Sequence, residues 1–232
     1  MKPFQIAIDG PVAAGKGTVS RLVADRLGFL YVDTGAMYRV TGLLAERAKL
    51  SDTDVPAIVA EVERAEIKMR NPNEEEKDGR LTTVHVDDED VSWAIRTEKI
   101  GDWASRVAAY PEVRKVLVAK QQQVAQSQNV VMEGRDITYR VLPEAQLKIY
   151  LTANEIVRAK RRQFQLQTRG MTAEYDEVYQ ELIERDKRDS ERVTDPLKVV
   201  PDAWLIDSSD LSIDQVVDSI VGKAKMMAEI ED

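Results

Sequence analysis

The sequence predicts an α/β fold of three layers, a mainly parallel five-stranded sheet between helices, with a small antiparallel β insert. Three observations carry this. Short apolar runs end in turn residues, as buried strands do. They alternate with segments whose apolar residues recur at helical spacing, the rhythm of a parallel sheet with crossover helices. From about Ala65 to Val91 that rhythm breaks into a turn-rich, alternating stretch.

Phe4–Ile8 is the first apolar run, closed by Asp9-Gly10. From Lys16 to Leu27 the residues Val19, Leu22, Val23 and Leu27 share a helical face, and Gly28 supplies a stop. "FLYVDTG" reads as strand then loop, and Ala36 to Ala48 as helix. In the insert, "NPNEEEKDGR" is a turn-rich acidic linker, and "RLTTVHVDDEDV" alternates as exposed antiparallel strands do. Helical patterning resumes at Thr97–Ala108 and, after Pro111, at Glu112–Gln126. "NVVMEG" and "QLKIYL" are two more core strands, followed by a helix from Asn154 to Gln167 and a loop carrying Gly170. A helix from Tyr175 to about Arg192, the strand "AWLID" and a C-terminal helix opened by the capping box "SIDQ" complete the chain.

Composition limits the function. A chain of 232 residues, 43% hydrophobic and 32% charged, suits one soluble domain spanning 1–232. It has no cysteine, which excludes disulfides and zinc–thiolate sites. The N-terminal "MKPFQIAIDG" lacks the apolar core of a signal peptide, and no run reaches the roughly 20 apolar residues of a membrane span. A cytoplasmic protein without membrane partners is expected. The net charge of −8 argues against non-specific nucleic-acid binding, so any anionic ligand must meet a local basic site.

"GPVAAGKGT", Gly10 to Thr18, follows a strand and opens a helix. Backbone N–H groups and a helix N-terminus then converge on one point, which makes an anion site of fixed dipoles. Glycine permits the close approach, and Lys16 adds a point charge. The pattern G-x-x-x-x-G-K-[ST] is met with Gly17 intervening, so Thr18 offers the hydroxyl for Mg²⁺. The loop (Gly10, Pro11, Val12, Ala13, Ala14, Gly15, Lys16, Gly17, Thr18) is therefore read as a nucleotide-phosphate site.

The G-K-G-T variant resembles that of nucleoside monophosphate kinases. "VDTGAMYR", "VSWAIRT", "ASRVAAYPEVR", "EGRD", "ERDKRDSER" and "LIDSSDLSIDQV" together resemble cytidylate kinase, from Ile6 to about Val217. The resemblance implies a P-loop NTPase-type fold with a helical lid, ATP with bound Mg²⁺ as donor, CMP or dCMP as acceptor, and a monomer. It places the insert at 65–92 beside the monophosphate and the lid at 157–192.

Phosphoryl transfer gathers many negative oxygens, so such a site needs arginine, whose fork grips phosphate bidentately. The second half of the chain supplies Arg158, Arg161, Arg162, Arg169, Arg185, Arg188 and Arg192. Taken alone, most such arginines are solvated helix surface. The resemblance implies Arg39, Arg135 and Arg192 on the acceptor phosphate, with Thr34 beside them, and Arg158, Arg161 and Arg162 closing over the donor. Lys16, Arg161, Arg162 and Arg192 are the implied catalytic set. Ser105, Arg114 and Asp136 are implied on the base, and Asp189, with Arg185, on the ribose.

Several of these have plainer readings. Asp136 could form an ion pair with Arg135 or Arg140, and Ser105 could be a buried helix serine. Asp33 suits a helix N-cap as well as it suits magnesium-bound water. His85 lies in the insert and takes no catalytic role. "NEEEK" and "DDED" read as solvated surface. After "GRDI" the family continues with Gly-Thr and two valines, whereas this chain has Thr138-Tyr139-Arg140-Val141, which bears on the loop beside Asp136. Glu133 stands where some members carry aspartate. Two other classes compete: a kinase for another small acceptor such as shikimate, and a P-loop switch. The chain has no N-K-x-D guanine motif.

Overall fold

The computed structural model describes residues 2–76, 78–168 and 170–228. Strands β1 (Gln5–Asp9), β2 (Leu30–Asp33), β6 (Val130–Gly134), β7 (Leu147–Thr152) and β8 (Trp204–Asp207) form one sheet in the order β2-β6-β1-β7-β8. Every pairing in it is parallel. Side chains alternate across the sheet. Ile6 and Ile8 join Tyr31, Val131 and Ile149 in one core, while Ala7 joins Val32, Val130 and Met132 in the other. Both faces are covered, so these strands read as continuous apolar runs rather than alternating ones.

Helices α1 (Lys16–Leu27) and α8 (Ile213–Ala228) cover the first face through Val19, Val23, Val216 and Ile220. Helices α2 (Thr34–Arg47), α3 (Val55–Arg64), α4 (Glu98–Val107) and α5 (Pro111–Ser127) pack on the second through Met37, Ile58, Ile100 and Leu117. Two polar helices, α6 (Glu155–Gln167) and α7 (Tyr175–Glu191), pair with each other around only Leu166, Ala173 and Val178 with Met171 against them. The capping box at α8 forms as predicted: Ser212 N–H donates to Gln215 Oε1 at 2.9 Å and Gln215 N–H to Ser212 Oγ at 3.2 Å.

The insert is an antiparallel sheet of β3 (Ile67–Arg70), β4 (Thr83–Val86) and β5 (Glu89–Asp90). One side of β4 is not exposed as the alternation suggested, because Val84 and Val86 belong to the second core. The acidic runs lie at the surface, with Glu76 paired to Arg70, Asp88 to Lys68 and Asp90 to Arg80.

Helix α3 and the turn after β6 were among the elements that went unread in the sequence. Helix α3 carries Pro56 in its first turn and buries Ile58 and Val62, spaced one turn apart. Ile137–Val141 forms a π-helical turn after β6. The second helix begins at Thr34, two residues before the predicted start, because the Asp33 side chain caps it by accepting from Ala36 N–H at 3.1 Å.

The order of strands puts the loops after β1, β2, β6, β7 and β8 at one edge, with the chain reversing its direction of travel around β1. Ligand crevices of open α/β sheets lie at such a switch point. Gly10 makes the turn out of β1 possible. A Cβ there would lie 2.0 Å from the Leu151 carbonyl oxygen on β7. Gly10→Ala is therefore expected to cost about 1–3 kcal/mol, lowering the Tm by roughly 2–12 °C. Thermal unfolding of the purified variant checks this.

Candidate active site

The phosphate loop is held from below and from the side. Gly15, with φ 90°, caps α1 in a left-handed conformation that gives the loop its return into the helix. The first N–H groups of α1 then face the cleft. The Lys16 ammonium donates to the Pro11 carbonyl at 2.7 Å and is buried. Burial, with Arg135 adding to it, pushes the Lys16 amine down to about 7, against the pull of Glu133. Glu133 is itself raised, by burial and then by Asp33, and it accepts from the Tyr31 hydroxyl at 3.0 Å. It closes on the loop: a Cβ at Gly17 would sit 3.2 Å from Glu133 Oε1 and 3.3 Å from Leu81 of the insert. This is the local reason for G-K-G-T.

Two cavities meet at Ala13, Gly15 and Thr18. The first, about 450 Å³, is lined by Val12, Lys16, Gly17, Asp33, Thr34, Arg39, Ser105, Arg114, Arg135, Asp136, Arg185, Asp189 and Arg192, all singled out in the sequence. The second, about 440 Å³, lies between the loop, α6 and the segment 208–216, with Arg161, Arg162, Phe164, Leu211 and Ile213 on its wall. Arg161 donates to Ser208 Oγ at 3.1 Å and to its carbonyl at 2.7 Å. Ser208, Leu211 and Ile213 were legible only as strand end and cap, although "LIDSSDLSIDQV" carries them.

In the first cavity, positive charge is held in place by carboxylates. Arg135 Nε donates to Asp189 Oδ2 at 2.7 Å. Burial would raise the Asp189 carboxyl, but the Arg135 guanidinium beside it holds it below the usual range. Asp136 is hydrogen-bonded to Arg114, whose Nε also donates to Asp195 Oδ2 at 2.9 Å. Burial pushes the Asp136 carboxyl up, against Arg114 and Arg192. The ion pairs considered from sequence are thus replaced: Asp136 binds Arg114, while Arg135 takes Asp189 and Arg140 lies 3.6 Å from Asp195. Asp9, wholly buried under this floor, accepts from Ile137 N–H at 2.9 Å and from Thr138 N–H at 2.8 Å.

Other side chains settle between the readings left open. Ser105 is half-buried and faces the cavity, where its hydroxyl accepts from Arg188 at 3.3 Å, so it is not a core serine. Asp33 does cap α2, and its second oxygen accepts from Arg96 at 3.0 Å. Thr34 donates to the Glu133 carbonyl at 2.7 Å, and Arg39 to those of Ile95 at 3.0 Å and Thr97 at 3.3 Å. Arg158 lines neither cavity: it is buried, and it bonds the Ala153 carbonyl at 2.9 Å, the Val12 carbonyl at 3.1 Å and Asp186. Gly10, Pro11 and His85 line neither cavity. Arg169 lies outside the described residues.

Similarity to known proteins extends over almost the whole chain. The cytidylate kinase family model matches residues 6–226. The chain is 43% identical to the cytidylate kinase of Polynucleobacter asymbioticus over 93% of this chain and 94% of the relative. It is 42% identical to that of Caldicellulosiruptor bescii, over 95% of each, and 40% identical to that of Streptococcus pyogenes, over 99% and 100%.

The lowered Lys16 amine has a measurable consequence. At pH 8 the free protein holds it mostly neutral, and a bound triphosphate draws a proton onto it; at pH 6 it is already charged. ATP affinity should fall as pH rises through about 7. Titration calorimetry in buffers of different ionisation heat should show proton uptake near pH 8 that vanishes near pH 6, and Lys16→Met should abolish it.

Proposed function

Because this chain belongs to the cytidylate kinase family, we infer how its own residues divide the work of moving the γ-phosphoryl group of ATP to CMP or dCMP. The products are CDP or dCDP and ADP, in pyrimidine nucleotide metabolism. One observation carries the assignment of parts: two cavities of nucleotide size open onto the same phosphate loop, with Thr18 where they meet.

The donor base takes the apolar cavity between α6 and the segment 208–216, its triphosphate reaching the loop N–H groups and Lys16. The acceptor takes the arginine-lined cavity, with Arg39, Arg135 and Arg192 on its phosphate, Ser105, Arg114 and Asp136 on the base, and Asp189 with Arg185 on the ribose. An oxygen of the acceptor phosphate forms the new bond to the γ-phosphorus as the bond to the bridging oxygen of ADP breaks. The attacking oxygen is already anionic, so no base is required, and catalysis is positioning and charge neutralisation. Lys16, Arg161, Arg162 and Arg192 supply that charge.

Mg²⁺ fits as a partner of ATP. Among the described residues no three His, Cys, Asp or Glu side chains come together as a metal cage, whereas this ion is ordinarily held by substrate phosphates and one or two protein oxygens. The Thr18 hydroxyl and, through water, Asp33 would hold it. Bound there, it would neutralise charge on the phosphates.

The stretch 157–192 serves as a lid and 65–92 as the acceptor-side insert of one domain. Action as a monomer in the cytoplasm belongs to the same reading.

A coupled assay of ADP release with ATP, Mg²⁺ and CMP, dCMP, UMP or AMP in turn tests the acceptor. CMP and dCMP should be turned over fastest; faster turnover of AMP would overturn the assignment. Base reading has a sharper test. An ionised Asp136 accepts from the cytosine amine and opposes the uracil carbonyl, whereas an amide can donate to that carbonyl. Asp136→Asn should lower the CMP:UMP ratio in kcat/KM by roughly ten-fold. An unchanged ratio in a folded variant would place base reading elsewhere.

A further inference from the structure

The stretch in which this chain departs from its family's pattern is engaged at every side chain. The Thr138 hydroxyl donates to buried Asp9 Oδ2 at 2.6 Å, which anchors the π-helical turn under the site. The Tyr139 hydroxyl donates to the Pro196 carbonyl at 2.5 Å, and the Lys198 ammonium lies 4.1 Å from the centre of the tyrosine ring. Arg140 Nε lies 3.6 Å from Asp195 Oδ1. The contacts of Tyr139 and Arg140 converge on one strap, 195–198.

That strap carries an unusual backbone. Asp195 has φ 48°, a left-handed conformation uncommon for a side chain other than glycine, and one that persists where surrounding contacts enforce it. From there Asp195 Oδ2 accepts from Arg114 Nε at 2.9 Å, and the Asp195 carbonyl accepts from Arg192 Nε at 2.7 Å. Arg114, 2% exposed, is consequently gripped at all three nitrogens, by Asp195 at Nε, by the Ala108 carbonyl at Nη1 at 3.3 Å and by Asp136 at Nη2. A guanidinium held by one carboxylate can still pivot about it. Held at three nitrogens by groups from different segments, the planar fork has one orientation.

We propose that Tyr139 is a positioning residue for the acceptor site: by holding the Pro196 carbonyl it keeps Asp195 on Arg114, and so fixes the orientation in which Arg114 meets Asp136. The proposal rests on the reading that Arg114 and Asp136 face the acceptor base. It explains how the chain dispenses with the family's Gly-Thr pair at this turn: the bulkier residues make contacts of their own that brace the site from behind. Tyrosine suits the task because its ring carries the Lys198 contact while its hydroxyl takes the carbonyl.

Tyr139→Phe removes only the donated hydrogen and keeps the ring. It should raise the KM for CMP about five-fold, while kcat and the KM for ATP each move less than about two-fold. Amide exchange across 194–198 in the unliganded protein should become faster. Asp195→Asn, with Tyr139 intact, should raise the KM for CMP as well. In the Asp195→Asn background, Tyr139→Phe should add less than about two-fold, because both act through Arg114. Equal changes in KM for both substrates, an unchanged KM for CMP, unaltered exchange in the strap, or independent effects in the double variant would each overturn the proposal. If Asp136→Asn shows that the base is read elsewhere, the exchange and double-variant measurements still report on Tyr139, so the two readings fail separately.

Discussion

Like charges crowded at one point repel, and this cleft turns Arg39, Arg96, Arg114, Arg135, Arg185, Arg188 and Arg192 toward a single opening. The rest of the site is arranged around that constraint. Arg135 is held by Asp189, Arg114 by Asp136 and Asp195, Arg96 by Asp33, and, behind the loop, Arg158 by Asp186. The carboxylates offset the repulsion and fix the direction of each guanidinium before any phosphate arrives, which is what electrostatic preorganisation requires. A chain of net charge −8 can thus present a local cation to an anionic ligand. The partners come from different layers: Arg135 and Asp136 follow β6, Arg114 lies on α5, and Asp189 on α7. The cleft is assembled only when the sheet, the second core and α7 have packed together.

The division of labour within the fold follows from apolar content. Two cores with Ile6, Ile8, Met37 and Leu117 among their members fix the sheet and the helices on it. The α6–α7 pair has only a small cluster of its own. Segments with little buried apolar surface open at lower free energy than the core they adjoin. The sheet that carries the phosphate loop and the helix pair that touches it from the side thus rest on separate apolar clusters.

The sequence displayed whatever depends on local period. The five core strands, the phosphate loop and the α8 capping box are each written in adjacent residues, and each lies where the pattern puts it. Helix α3 has a local signature too, Pro56 in its first turn and Ile58 and Val62 one turn apart, although the sequence reading passed over it. The pairings in the cleft were not legible, because they join distant positions: Arg114 with Asp195, Arg135 with Asp189, Val12 with Asp186. Asp136 shows the limit. Its near neighbours Arg135 and Arg140 were the obvious partners in sequence, yet the turn after β6 points it at Arg114, 22 residues back. Asp9 likewise looked like a strand terminator, and it is the buried acceptor on which the π-helical turn is hung.

Val12 deserves to be followed outward. Its N–H donates to Asp186 on α7 at 3.2 Å, and its carbonyl accepts from Arg158 on α6 at 3.1 Å. Arg158 and Asp186 are also bonded to each other, so one residue of the phosphate loop, through the peptide groups on either side of it, is tied to both α6 and α7. The phosphate loop and the helix pair therefore cannot shift independently without breaking one of these hydrogen bonds: the seat of the phosphates and the pitch of two distant helices are set by the same few atoms.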